Sequence, residues 1–176
     1  MKQDQRWASV YRSFNVISPW TVGRFANEPE VGRFAHDFVQ PDIAETHRAG
    51  IRYMPVAFPG YTHSNAARMH GKSEDFNGIP RHCGRFFWRQ ISAFLHEDVD
   101  ALYVAMFDEV GEGTAVFPLE TSPDNAIAGA ALLKHDQDGC TVPDDWYLRV
   151  AGIAGEFLGG KKRAPMDLDA VLKPPR

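Results

Sequence analysis

The sequence predicts an α/β protein built of parallel strands joined by helical crossovers, and three observations carry that expectation. Short apolar, β-branched runs alternate with stretches of helical spacing. The connections between successive runs are too long for hairpins and long enough for crossovers. The second run is hydrophobic almost throughout, as in a strand covered on both faces.

Taken in order, Ser13 to Pro19 (SFNVISP) reads as the first strand, β-branched in its middle and stopped by Pro19. Phe34, Phe38, Ile43 and Ala44 then fall near helical spacing, and Gly50 supplies a C-terminal stop. Ile51 to Phe58 (IRYMPVAF) is the second strand. Pro55 inside it can donate no ladder hydrogen bond, so a strand end or bulge is expected there. The loop from Pro59 to Cys83 is long enough to be functional or a lid. Phe86 to Leu95 reads as a helix with Phe87, Ile91, Phe94 and Leu95 on one side, and Trp88 at that spacing is core or a binding platform. Asp100 to Phe107 (DALYVAMF) is the cleanest strand. Asn125 to Lys134 is Ala-rich and helix-compatible, and Asp144 to Leu158 reads as a helix ending at Gly159-Gly160. Beyond it, residues 161–176 are basic and Pro-bounded, and are expected to be a loosely docked tail.

The 176 residues carry 19 Lys+Arg against 23 Asp+Glu, a formal charge of −4, with 44% apolar and 24% charged residues. This is the balance of a globular domain, not a disordered chain. A nucleic-acid binder working through clustered Lys/Arg is excluded as a partner class. So is a membrane-spanning role, which needs an apolar run of about 20 residues. Cys83 and Cys140 are too few for a disulfide framework; two free thiols are expected, with a single bridge as the alternative. The N-terminus lacks the apolar segment of a secretory signal, so the chain as given reads as cytoplasmic, or extracellular if an upstream segment is missing. No cofactor is expected. There is no P-loop, G-x-G-x-x-G or G-x-S-x-G motif, and His63, His70, His82 and Cys83 fit no zinc spacing.

Right-handed crossovers place the loops after Pro19, Phe58 and Phe107 on one rim, where ligands bind in parallel sheets. The strongest chemical signal there is Phe107-Asp108-Glu109-Val110-Gly111-Glu112-Gly113-Thr114, three carboxylates interleaved with glycines directly after a strand. At a strand end of this kind, burial and mutual repulsion can raise one carboxyl pKa while leaving its neighbour ionised, the split that acid/base work on a glycosidic bond requires. The plain alternatives are a solvated acidic turn or a cation loop, though the calcium-loop spacing is absent. Tyr61, His63 and Asn65 are suited to stacking on a sugar face and bonding its hydroxyls. Arg81 is a candidate to orient a carboxylate by a bidentate bond, and Trp20 sits on the same rim.

NVISPW, YMPVAFPGYTHSN, IPRHCGRFFWRQ, YVAMFDEVGEGTAVF and DDWYLRVAG together resemble the glycoside hydrolase family 71/99-like proteins, over roughly Arg12 to Leu158. The resemblance implies a (β/α)₈ barrel that cleaves α-glycosidic bonds. At about 250 residues a whole barrel does not fit this chain. The fold expected is therefore α/β with a partial TIM barrel, about its C-terminal half, over residues 1–160. Exposed sheet edges would then favour a homodimer. The resemblance also implies catalytic roles for Glu109 and Glu112: the first helps the substrate's 2-hydroxyl attack the anomeric carbon, and the second is general acid and then base. It implies an α-mannan or α-glucan partner, and substrate contacts for Trp20, Tyr61, His63, Asn65, Arg81 and Asp108. In this sequence Asp108 replaces the family's Asn, Val110-Gly111 replace Trp-His, and His63 stands where Trp is frequent. A half-barrel that binds carbohydrate without cleaving it is the alternative.

Overall fold

The computed structural model describes residues 5–120, 132–158 and 162–172. Its frame is a set of short parallel pairings flanked by helices. Strand β1 (Val16–Ile17) pairs in parallel with β2 (Arg52–Tyr53), and β3 (Val56–Ala57) pairs in parallel with β4 (Tyr103–Val104). Strands β2 and β3 lie in one extended run interrupted at Met54-Pro55, where the proline was expected to end or bulge the strand. The reason is visible in the ladder. The N–H of Met54 donates to the Ile17 carbonyl on the β1 side, whereas the N–H groups of Tyr103 and Ala105 reach the carbonyls of Pro55 and Ala57 on the β4 side. Proline offers no N–H at that point, so pairing with β4 is established only beyond it. One step earlier the Asp100 carboxylate takes the Tyr53 N–H at 2.8 Å in place of a strand carbonyl. The strands are thus shorter than the apolar runs that predict them, because proline and side-chain bonds trim their ends. The parallel α/β expectation is met by these small pairings; the sheet is not a continuous barrel wall.

A short helix, α1 (Gln5–Tyr11), precedes β1. Residues 28–48 then form one helical run: α2 (Glu28–Phe34), a π-helical segment (Ala35–Val39) and α3 (Gln40–Arg48). It starts earlier than the apolar spacing indicates. Asn27 caps it by accepting the Glu30 N–H at 3.0 Å, while Glu30 reaches back to the Ala26 N–H at 2.7 Å. The π segment has a cause, since Pro41 cannot continue the regular bonding and the Gln40 N–H goes to Ala35, five residues back. Val31, Ala35, Val39 and Ile43 face the core, and Phe38 faces outward.

The short helix α4 (Ser64–Met69) interrupts the long loop after β3, and α5 (Arg85–Leu95) is the core helix. Phe86, Phe87, Trp88, Ile91 and Phe94 are all fully buried there, so Trp88 is core. Gln90, also buried, bonds both the N–H and the carbonyl of Phe58, anchoring the end of β3 to α5. Helix α6 (Trp146–Phe157) packs on α5 through contacts such as Trp88 with Phe157 and Phe87 with Tyr147. The Ala-rich stretch 125–134 lies mostly outside the described residues.

Two expectations need correction. Cys83 and Cys140 are not free thiols; they form a disulfide, their Cα atoms 6.0 Å apart. Folding brings the start of α5 against the segment 132–145, a proximity that a spacing of 57 residues does not announce. Asp138 secures the same junction by accepting from the His82 N–H (2.6 Å) and Asn77 Nδ2 (2.8 Å). Residues 162–172 are also not loosely docked. Ala164 and Leu168 are buried, the Pro165 carbonyl accepts from Trp88 Nε1, and Asp169 pairs with Arg85.

Candidate active site

After β4 the chain turns through a 3-10 segment (Val110–Glu112) and comes back alongside its own outward path. The Met106 N–H donates to Thr114, and the N–H groups of Val116 and Phe117 donate to Met106 and Phe107. At the crest stand Asp108 and Glu109, both exposed, and Glu112, half-buried. Gly113 closes the turn with φ +67, and a Cβ there would lie 2.5 Å from Leu133 Cδ1, so both backbone and space demand glycine.

Three other segments fix this turn. From the loop after β3, the Thr62 N–H donates to the Glu112 carbonyl at 2.8 Å. From α4, Asn65 Nδ2 donates to the Gly111 carbonyl at 2.6 Å. From beneath, Arg81, 1% exposed, donates to the carbonyls of Gly113 (2.6 Å) and Ala115 (3.2 Å), with its guanidinium over the Tyr147 ring at 4.6 Å. Arg81 was expected to orient a carboxylate; instead its bonds go to backbone carbonyls, and it supports the turn from inside the protein. Gly60 makes room for it, because a Cβ there would meet Arg81 Cγ at 2.6 Å.

The electrostatics link the side chains on top. Burial, then the charge of Glu109, raises the Glu112 carboxyl above the ordinary glutamate value, with His63 acting in the opposite direction. Burial raises the Tyr61 phenol, and the charges of Glu112, Glu74 and Glu109 raise it further. His63 stacks on Tyr61 at 22° and 6.5 Å, and its Nδ1 bonds Glu74 at 2.9 Å. The structure therefore gathers Tyr61, His63, Asn65, Glu109 and Glu112 in one region, with Asp108 on the same turn. Trp20 is exposed on the loop after β1, and its ring contact is with Tyr103 of β4. Glu74 belongs to the gathered set but carries no local signal in Lys72-Ser73-Glu74-Asp75; only the length of its loop points there. Among the described residues no group of three or more His, Cys, Asp or Glu side chains is placed to hold a metal ion, and no helix is long and apolar enough to cross a membrane.

No protein-family profile and no curated protein matches the sequence. Solved structures do match. A GH99 endo-α-mannosidase from Bacteroides thetaiotaomicron aligns over 92% of this chain and 43% of that one, with a TM-score of 0.64 and 15% identity. A structure of the GH99 endo-α-mannosidase from the same organism, in complex with bis-tris propane, aligns over 72% of this chain and 35% of that one, with a TM-score of 0.54 and 18% identity. The chain thus spans less than half the length of these structures. At such identities the likeness is one of fold, and the fold of this chain is GH99-like.

Proposed function

We propose that this chain is the catalytic-rim portion of a glycoside-hydrolase-like protein acting on α-linked glycans of the α-mannan or α-glucan type. The observation that carries the reading is the raised Glu112 carboxyl beside Glu109 on a turn after a parallel strand, in a GH99-like fold. Glu112 is the proton donor to the departing sugar oxygen, since a carboxyl held above its ordinary range keeps its proton closer to neutrality. Glu109 is the partner that assists attack of the substrate's own 2-hydroxyl on the anomeric carbon. Tyr61, His63 and Asn65 flank the sugar, and Asp108 and Trp20 extend the rim. The parallel pairings β1–β2 and β3–β4 are read as part of a barrel, and a homodimer through exposed sheet edges is the association this reading favours. Among the described residues no strand pairs with the outer edge of β1. An apolar hollow of about 690 Å³ runs along it, lined by Tyr11, Phe14, Val16, Ile17 and Phe38 among others. The disulfide favours an oxidising, extracytoplasmic compartment over the cytoplasm.

A second reading, a carbohydrate-binding half without hydrolysis, is favoured by the two separate two-stranded pairings, which form no continuous barrel wall among the described residues. Release of reducing ends from α-mannan and α-1,3-glucan separates the two. Release that is lost in Glu112→Gln supports the hydrolase, and release unchanged in Glu112→Gln overturns the catalytic assignment. Retained glycan binding with no release by the wild type, measured on the species that size-exclusion shows in solution, supports the binding-only reading.

A further inference from the structure

We infer that Glu74 is a positioning residue for the acid pair, acting through His63; this rests on the reading of Glu109 and Glu112 as the reacting pair. His63 is held on two sides. Its Nδ1 bonds Glu74 Oε2 at 2.9 Å, and its ring lies nearly parallel to Tyr61. It also follows Thr62, whose N–H is fastened to the Glu112 carbonyl. The backbone anchor thus places the imidazole beside the acidic turn, and Glu74 sets the direction in which the ring faces. A carboxylate on one ring nitrogen fixes the tautomer and orientation of the other, the arrangement that also tunes metal-bound histidines.

The charged and titratable groups around this imidazole come from three segments: Glu74 from its own loop, Tyr61 from the loop after β3, and Glu112 from the acidic turn. On α4, Arg68 is turned to Asn65. When protonated, His63 opposes the rise that burial and Glu109 impose on Glu112. Glu74 bonds the His63 ring directly and also acts by its charge on Tyr61, on which that ring stacks. The route from Glu74 to the acid is the ring it holds. Both partners of the pair are close to half-exposed, 49% and 45% at the side chain, so the bond contributes little to folding and can be removed without unfolding the chain.

The test is a double-mutant cycle on Glu74→Gln and His63→Gln, read as the titration midpoint of the Glu112 carboxyl by ¹³C NMR on the full chain. Each single change is expected to move the midpoint upward by a few tenths of a pH unit, and the double variant no further than His63→Gln alone. A Glu74→Gln midpoint equal to wild type, or a double variant in which the two shifts add, overturns the inference. This readout needs no turnover, so a wild type that hydrolyses nothing defeats the proposed function and leaves this relation standing on its own. If turnover is observed, the alkaline limb of the rate profile should move upward in Glu74→Gln, because a general acid with a higher pKa stays protonated further up.

Discussion

The backbone N–H of Thr62 donates to the carbonyl of Glu112 at 2.8 Å, joining the loop after β3 to the turn after β4. Two segments separated by helix α5 are thereby locked at the residue whose carboxyl is raised. The bond leaves the Glu112 side chain free, while it and the bonds from Asn65 and Arg81 hold the turn's backbone. The turn's backbone is therefore fixed by the fold itself, with no bound group needed to order it.

The tightest geometric demand in the turn falls on Gly113. Replacing it by alanine puts a Cβ 2.5 Å from Leu133 Cδ1 on a backbone with φ +67. The expected cost is about 1–3 kcal/mol, read as a lowered urea midpoint, with lost chemical-shift dispersion confined to residues near 108–117.

Arg81→Lys should not behave as a conservative change. A lysine cannot span the carbonyls of Gly113 and Ala115 while stacking on Tyr147, and it leaves buried acceptors without donors. A loss of about 2–4 kcal/mol in denaturant unfolding is expected, with a larger fractional loss of any glycan-directed activity.

The Cys83–Cys140 bridge closes a loop spanning 57 residues that includes α5 and the acidic turn. Chain-entropy reasoning assigns it about 4 kcal/mol. Thermal unfolding with and without reductant should therefore show a clear drop in Tm, and a Cys83→Ser/Cys140→Ser variant should match the reduced protein.

His135 lies buried behind the turn, its Nδ1 bonded to the Asp144 carbonyl at 2.9 Å. Burial, then the charge of Arg81, lowers its pKa from 6.5 to about 4. A histidine depressed in the folded state contributes stability that is complete above the unfolded pKa and is lost as pH falls through the folded one. Stability should thus decline between pH 6.5 and 4, by up to about 3 kcal/mol from this group. In His135→Phe that part of the slope should vanish.

Much of the α/β frame was legible, because apolar runs and helical spacing are local signals. The runs around Val16, Val56 and Tyr103 became strands, and Phe86 to Leu95 became the core helix. What escaped depended on distant partners or on caps. The helix from Glu28 is set by the Asn27–Glu30 cap and passes through a π segment just before Pro41, neither of which shows in apolar periodicity. The disulfide, the burial of Arg81 and the docking of Ala164 and Leu168 arise from segments far apart in the chain. The carboxylate-and-glycine pattern marks the turn that carries Glu109 and Glu112, a local signal, whereas Glu74 is recognisable only through the histidine it bonds.

Burial in the turn and the Glu109 charge together set the acidity of Glu112, and the most direct measurement is the titration of that carboxyl by ¹³C NMR in wild type and Glu109→Gln. The predicted result is a wild-type midpoint above 4.5 that falls when the Glu109 charge is removed. A midpoint at or below 4.5, unmoved by Glu109→Gln, would contradict it.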